Sequence, residues 1–149
     1  MHILIDPDTA QSLVLEHTRR AEARRVAVDD ALGLTLAQDI VADADYPPFD
    51  RSMMDGYAVR VADAGTKVRV VGEIAAGGVA ERALDAGSAI EIMTGAPCPD
   101  GTEAVVPKED VTREGGAVAL PAAIAMGQNI TRRGAECAKG AVVLTSGDV

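Results

Sequence analysis

The chain changes character within the stretch Tyr46-Pro47-Pro48-Phe49-Asp50-Arg51-Ser52-Met53-Met54-Asp55-Gly56-Tyr57. This stretch holds every aromatic residue of the protein, two Tyr and one Phe, together with two of its five Met residues. Its aromatic side chains are large packing groups. Beside them, the Pro-Pro pair restricts the backbone, whereas Gly56 permits conformations that other residues rarely adopt. The stretch therefore predicts a built site, and it separates a helical first third from a β-rich remainder.

Length and composition limit the class of protein. At 149 residues the chain is long enough for one domain or for two small lobes with separate cores. Hydrophobic residues make up 48% of it and charged residues 25%, as in a globular protein, and no apolar run approaches the roughly 20 residues that cross a bilayer. The N-terminal residues lack the basic region and the long apolar run of a signal peptide. These features predict a cytoplasmic protein without a membrane partner.

The charge of the chain counts against nucleic acid as a partner. Its formal net charge is -9, whereas binding to a phosphate backbone needs a broad cationic surface. An anionic small molecule would need a local pair of Arg residues or a bridging divalent cation. Cys98 and Cys137 are too few and too far apart for a disulfide framework or a zinc site, so reduced thiols are expected. With only His2 and His17 present, most His-based metal sites and triads are excluded.

The first third of the chain predicts two helices. Residues 8–25 have a helical pattern that opens with a capping box, Asp8 with Gln11, and ends with four Arg residues. These Arg residues are interpreted as a solvated helix end, with an anion-binding patch as the alternative. Residues 26–28 predict a short strand, and residues 30–38 predict a second, shorter helix despite Gly33.

From Gly56 onward, short β-branched runs alternate with Gly, Pro, Asp and Ser. Strands are expected at residues 57–61, 67–74, 89–93, 104–107, 117–120 and 141–144, with the close spacing of an antiparallel sandwich or barrel. The predicted fold class is α+β and mostly β, with an N-terminal helical and extended linker lobe followed by a Gly/Pro-rich antiparallel β lobe. The predicted domain divisions are residues 1–45, residues 46–135 and a return segment at residues 136–149.

Two short segments present polar groups beside a Gly. Ser52 and Asp55 precede Gly56, where an Asp would hold a hydrated Mg²⁺ or accept hydrogen bonds from the N–H groups of a heterocycle. The alternative is a capped turn anchored by the neighbouring aromatic residues. Thr94 precedes Gly95 at the end of a predicted strand, and its hydroxyl with the adjacent N–H groups suits an anion. The alternative there is a strand end followed by a rigid, Pro-containing turn.

A third segment carries two adjacent Arg residues. Arg132 and Arg133 follow two amide side chains in an otherwise acidic chain. The planar guanidinium group suits phosphate, and a surface salt-bridge pair is an equally good interpretation. We expect Asp55, Thr94 and the two guanidinium groups to converge on one concave wall.

In order, these segments resemble a known family. The motifs are Pro48-Phe49-Asp50-Arg51-Ser52-Met53-Met54-Asp55-Gly56-Tyr57-Ala58-Val59, Gly72-Glu73-Ile74-Ala75-Ala76-Gly77, Ile92-Met93-Thr94-Gly95-Ala96-Pro97, Ala104-Val105-Val106 with Glu109-Asp110, and Gly127-Gln128-Asn129-Ile130 with Arg132-Arg133-Gly134. They look like the N-terminal region of the MoeA-type molybdopterin molybdotransferases, the group that includes the E domain of gephyrin. The resemblance extends over nearly all of the chain, and several ordered motifs make it more specific than any one alone.

The resemblance implies a role in the last step of molybdenum cofactor synthesis. Members of this family insert molybdate into the dithiolene of molybdopterin, which arrives as an adenylylated, Mg²⁺-dependent precursor and releases AMP. They act as homodimers, and the molybdopterin adenylyltransferase is an implied partner. By this resemblance Asp55 and Thr94 are catalytic, and Asp55 is also the candidate Mg²⁺ ligand. The implied substrate-binding residues are Ser52, Gly56, Gly95, Arg132 and Arg133.

Two departures from the family pattern bear on function. The family usually continues its basic segment as RRGED, whereas Gly134 is followed here by Ala135-Glu136-Cys137. Family members also continue beyond the position of Val149 into an α/β domain that completes the active-site cleft. The chain is therefore expected to be the N-terminal portion of a molybdotransferase and to be inactive alone. The alternative is a free-standing, non-catalytic dimerisation or scaffold module.

Overall fold

The computed structural model describes residues 4–149 and divides the chain into two compact units. Among the described residues, the first unit is formed by residues 4–39 and Thr145–Val149, and the second by Ile40–Leu144. The start of the predicted N-terminal lobe and part of the signal-peptide argument fall on residues 1–3, which lie outside the described residues. The predicted domain divisions after residues 45 and 135 remain predictions. Over the described range, no helix combines the length and the apolar character that a membrane span requires.

The α-helix of the first unit, α1, spans Pro7–His17. Asp6 caps it, because its Oδ1 accepts a 3.0 Å hydrogen bond from the N–H of Thr9, and a Pro occupies the start of the helix. The helix predicted over residues 8–25, opening with a box at Asp8, is therefore wrong at both ends. None of the side chains of α1 is buried, so no packing extends the helix through the Arg-rich residues that follow.

The helix predicted over residues 30–38 and the short strand predicted before it are also wrong. Residues 26–28 form no strand, and Val28–Asp30 is a single 3₁₀ turn. Gly33 follows with a φ of +76°, a left-handed conformation that interrupts a helical path. The backbone beyond it is hydrogen-bonded to the C-terminal segment instead.

Short strands build the second unit. They are β1 (Ile40–Val41), β2 (Arg51–Ser52), β3 (Gly56–Val59), β4 (Lys67–Ile74), β5 (Ser88–Ile92), β6 (Ala104–Pro107), β7 (Thr112–Glu114), β8 (Ala117–Ala119), β9 (Ile130–Thr131) and β10 (Val142–Leu144). Strands β3 to β8 form a six-stranded sheet in the order β6-β3-β5-β4-β8-β7, and two ribbons pair β1 with β10 and β2 with β9. The α+β, mostly β fold class is confirmed. The lobe is not purely antiparallel, because β4 and β5 run parallel.

Both faces of the six-stranded sheet are packed. Tyr57 and Val59 of β3 point into one apolar cluster, and Ala58 between them points into a second cluster on the other face. All four residues of β3 are buried. Because β3 lies between β5 and β6, it holds the ends of both neighbours in register.

This register creates the edge of the sheet where the candidate site lies. Gly56, the first residue of β3, is opposite Ile92 at the end of β5 and Pro107 at the end of β6. The residue before β3 and the residues after β5 and β6 therefore meet. Three segments that are far apart in sequence reach one place through backbone pairing alone.

Candidate functional site

A carboxylate and a hydroxyl meet at this edge. Oδ1 of Asp55 accepts two hydrogen bonds from Thr94, one from the backbone N–H and one from Oγ1, each at 2.7 Å. Both residues are exposed to solvent. The side-chain hydrogen bond from Thr94 lowers the pKa of Asp55, and the backbone hydrogen bond adds to this effect. The structure thus brings the two residues predicted to be catalytic into one pair, with Asp55 ionised at neutral pH; their catalytic role remains a prediction.

Gly56 permits the close approach that sets Asp55 in place. A Cβ atom at this position would lie 2.2 Å from the carbonyl O of Val106 and 2.9 Å from its carbonyl C. Only a residue without a side chain allows β3 and β6 to pair at this separation. Gly95 turns the chain directly after Thr94 with a φ of +81°. Both Gly residues, which were predicted to bind substrate, thus shape the backbone around the pair.

Ser52 braces the turn that carries Asp55. It is 2% exposed, and its Oγ donates a 2.6 Å hydrogen bond to the carbonyl O of Met54. Its N–H donates to the carbonyl O of Ala96 at 3.0 Å, and its carbonyl O accepts from the N–H of Gly95 at 2.8 Å. Ser52 therefore joins the segment before Asp55 to the segment after Thr94. Contact between its hydroxyl and a substrate remains a prediction.

Each Arg of the basic segment is paired with an acid. Arg132 Nη1 donates to Oδ2 of Asp50 at 2.5 Å, and Arg133 Nε donates to Oδ2 of Asp45 at 2.6 Å. Strand β9 runs antiparallel to β2, which places Arg132 beside the residue before β2, at the end of this ribbon away from Asp55. Within residues 4–149, neither guanidinium shares a hydrogen bond or an ion pair with Asp55. The salt-bridge interpretation is confirmed, and the expected convergence of the four residues on one wall remains a prediction.

The acidic partners of the two Arg residues are ionised. A backbone hydrogen bond from Lys139 and a side-chain hydrogen bond from Arg133 lower the pKa of Asp45. Burial raises the pKa of Asp50, but hydrogen bonds from the Arg133 backbone and the Arg132 side chain outweigh burial and lower it overall. The side chains of Arg132 and Arg133 are still 51% and 64% exposed, so both remain accessible to a ligand.

Lys108 is a neighbour of the Asp55–Thr94 pair that the sequence did not single out. Its N–H donates to the carbonyl O of Asp55 at 3.1 Å, and its Nζ is 2.7 Å from Oε1 of Glu91. In the sequence it stands between the β6 run and an acidic pair, where no motif marks it. The pairing of β6 with β3 places Lys108 beside Asp55, and the sequence alone does not specify this register.

The groups around Asp55 offer few ligands for the predicted Mg²⁺. Across residues 4–149, His, Cys, Asp and Glu form no group of three or more that could hold a metal ion. Oδ1 of Asp55 accepts both hydrogen bonds from Thr94, whereas Oδ2 makes no hydrogen bond to any described residue. Mg²⁺ is commonly bound by one or two carboxylates, with water and substrate phosphates as the other ligands. One free carboxylate oxygen fits that partial role.

The β-rich lobe and the ordered motifs described above are those of an N-terminal protein module with a family model of its own. The family model described as "MoeA N-terminal region (domain I and II)" matches residues 5–149. The chain therefore belongs to this family, which confirms the resemblance seen in the sequence.

Individual relatives agree with this membership. Over 96% of its length, the present chain is 38% identical to the molybdopterin molybdenumtransferase of Bacillus subtilis (strain 168). It is 37% identical to the molybdopterin molybdenumtransferase of Haemophilus influenzae over 94% of its length. The crystal structure of the molybdopterin biosynthesis MoeA protein from Pyrococcus horikoshii OT3 superposes with a TM-score of 0.89 at 37% identity, covering 97% of the chain.

The chain spans only part of these relatives. It covers 36% of the length of the Bacillus subtilis and Haemophilus influenzae proteins and 40% of the Pyrococcus horikoshii chain. Family membership is thus established over residues 5–149, and the fold over the 97% of the chain that superposes. The activity of the complete relatives belongs to a longer polypeptide.

Proposed function

We propose that the chain supplies the N-terminal substrate-binding portion of a molybdopterin molybdenumtransferase. The observation that carries the proposal is the Asp55–Thr94 pair, which joins two of the family motifs by two hydrogen bonds of 2.7 Å. Relatives that bear the name molybdopterin molybdenumtransferase match 94% or more of the chain. The proposed reaction inserts molybdate into the dithiolene of adenylylated molybdopterin and releases AMP.

The roles of the two residues follow from their chemistry. Oδ2 of Asp55 is free to hold Mg²⁺, which when bound would offset the negative charge of the substrate phosphates. The Oγ1 of Thr94 donates to Asp55, and its lone pairs remain available to a donor on the substrate. Asp55 stays ionised because Thr94 lowers its pKa, so it retains its charge for this role at neutral pH. In this proposal Thr94 both orients the carboxylate and contacts the pterin-linked nucleotide.

Other polypeptide surface is needed to complete the site. The pair offers a carboxylate, a hydroxyl and backbone N–H groups, which do not amount to a nucleophile, a base and a group that stabilises developing charge. We propose that the rest of the cleft comes from a second domain and from the partner in a homodimer. The unsupplemented chain is accordingly expected to release no AMP.

The first unit offers apolar surface for such a homodimer. Helix α1 buries no side chain, although it carries Leu13, Val14 and Leu15. These side chains are 43%, 63% and 67% exposed, and Leu32 is 96% exposed. Exposed apolar side chains at this density are typical of surfaces that become covered on association.

A second candidate is a non-catalytic dimerisation or scaffold module. The same exposed apolar residues favour it, because association needs no substrate and no second domain. The two candidates differ in their ligand: the transferase portion binds adenylylated molybdopterin at Asp55, and the scaffold module does not. In either case the net charge of -9 counts against a nucleic acid partner.

Cellular partners follow from the proposed reaction. A molybdopterin adenylyltransferase would supply the adenylylated substrate, and molybdate would be the second substrate. We propose a cytoplasmic location, where reduced thiols are stable, in agreement with the free thiols of Cys98 and Cys137.

AMP release by the complete polypeptide that the reading frame encodes tests the proposal. With adenylylated molybdopterin, Mg²⁺ and molybdate supplied, Asp55→Ala and Thr94→Ala should each lower the rate about 100-fold or more, as expected when a transition-state contact is removed. Asp63→Ala is the matched control, because its carboxylate also accepts a backbone N–H, that of Gly87, but at another turn. Normal rates in both site variants, at unchanged thermal stability, would contradict the assignment.

A further inference from the structure

A cation is fixed beside Asp55 by the sheet itself. Lys108 directly follows Pro107, which is opposite Gly56 in the pairing of β6 with β3. The N–H of Lys108 continues this pairing by donating to the carbonyl O of Asp55 at 3.1 Å. The position of Lys108 next to the Asp55–Thr94 pair is therefore set by strand register rather than by a loose loop.

The side chain of Lys108 leads toward the segment that carries Thr94. Its Nζ is 2.7 Å from Oε1 of Glu91 and 4.0 Å from Sδ of Met93, the residue before Thr94. An ammonium group has three N–H donors, and a thioether is only a weak acceptor. The side chain is 36% exposed, so at least one donor is available to a ligand at this edge.

Glu91 does not neutralise Lys108 completely. Its Oε2 also accepts from Nη1 of Arg113 at 3.2 Å, so two cations share one carboxylate that is only 12% exposed. The hydrogen bond to Glu91 raises the pKa of Lys108, and attraction to Asp55 adds a smaller effect in the same direction. Lys108, Arg113 and Glu91 together therefore carry a net formal charge of +1 beside the residues that follow β5 and β6.

An anionic ligand at this edge needs such a cation. The carboxylate of Asp55 repels a dianion, and the β2–β9 register places Arg132 at the end of that ribbon away from Asp55. Ammonium groups bind tetrahedral oxyanions as compact point charges. Lys108 has the charge, the free donor and the position for this task.

We propose that Lys108 is a further substrate-binding residue of the Asp55–Thr94 site, where its ammonium group binds an oxygen of a tetrahedral oxyanion. The inference rests on the proposed function, because it deepens the ligand chemistry of the same site. Molybdate and the phosphate of the adenylyl group share this tetrahedral, multiply charged form. Both are therefore used as probes.

Titration of the ¹⁵N-labelled chain with sodium molybdate, and separately with AMP, tests the proposal. The amide resonances of Thr94, Gly95 and Lys108 should shift with the anion that the site binds. Lys108→Met should weaken that affinity about tenfold, the effect of losing one charge-assisted hydrogen bond, and Lys108→Arg should restore part of it. Lys67→Met is the matched control: it removes a Lys of β4 that is paired with Glu114, with the same change of net charge.

Three outcomes would overturn the inference. They are unchanged affinity in Lys108→Met, an equal loss in Lys67→Met, and the absence of any shift at Thr94 and Lys108 with both anions in the unmutated chain. AMP release by the complete polypeptide separates this inference from the proposed function. If Asp55→Ala and Thr94→Ala lose AMP release while Lys108→Met keeps a normal KM, only the role of Lys108 is wrong. If all three variants are normal, the proposed function is wrong.

Discussion

Replacing Gly56 with Ala tests whether the contact between β3 and β6 holds the site together. The new Cβ would lie 2.2 Å from the carbonyl O of Val106, whereas ordinary contacts are near 3.5 Å, so the strands must separate by about 1 Å. The nearest atoms, in Val106 and Pro107, all belong to the backbone, so no side chain can move aside. Overpacking of this kind costs about 1–3 kcal/mol, and each weakened strand hydrogen bond costs about 1 kcal/mol more. We expect the free energy of unfolding to fall by about 3 kcal/mol.

Gly72→Ala is the matched control for this prediction. Gly72 lies in β4, and a Cβ added there meets nothing within 4 Å. The same substitution should therefore be neutral, or should stabilise the chain by roughly 0.4–1 kcal/mol through the unfolded state. Urea unfolding followed by circular dichroism gives the free energy of unfolding for both variants. Equal values for Gly56→Ala and Gly72→Ala would refute the reasoning about the β3–β6 contact.

Two further predictions concern individual ionisable groups. The pKa of Asp55 is lowered from the ordinary value of 3.8, so this carboxylate contributes stability that is lost as the pH falls through its folded pKa. Because the N–H of Thr94 donates to this carboxylate, the amide resonance of Thr94 should shift as Asp55 is protonated, with a midpoint below 3.8. An NMR pH titration measures this midpoint, and a value at or above 3.8 would contradict the hydrogen-bonded pair. Burial raises the pKa of the Cys98 thiol to about 11, so in a Cys137→Ala variant this thiol should react with a disulfide reagent far more slowly when folded than when unfolded in urea. Similar rates in the two states would contradict the partial burial of this thiol.

The sequence predicted the strands whose residues form a β-branched run with a clear end. The bounds expected for β4 and β6 are those observed, Lys67–Ile74 and Ala104–Pro107, because both runs are rich in β-branched residues and end at turn formers or Pro. Strands β1, β2, β7 and β9 were missed, since strands of two or three residues are defined by their partners and not by an alternating pattern. The helix over residues 8–25 was drawn too long, because local helix signals do not show that α1 has no packing partner in the described structure.

In the candidate site, too, local motifs predicted some residues, whereas the place of others depends on the tertiary fold. Asp55 and Thr94 were predicted together because each lies in a specific motif beside a Gly, and the structure places them in hydrogen-bond contact. The pairing of Arg133 with Asp45, 88 positions apart, follows from the tertiary fold and has no local signal. The place of Lys108 depends on strand register, which a pattern of single residues does not specify.

The central claim is that the Asp55–Thr94 pair binds a nucleotide-linked pterin. Calorimetric titration of the chain with adenylylated molybdopterin, with and without Mg²⁺, measures this binding directly. The account predicts saturable binding that Mg²⁺ strengthens in the unmutated chain, and loss of the Mg²⁺ effect in Asp55→Asn, which keeps the acceptor for Thr94 but removes the charge. Binding of the same affinity in both proteins, regardless of Mg²⁺, would contradict it.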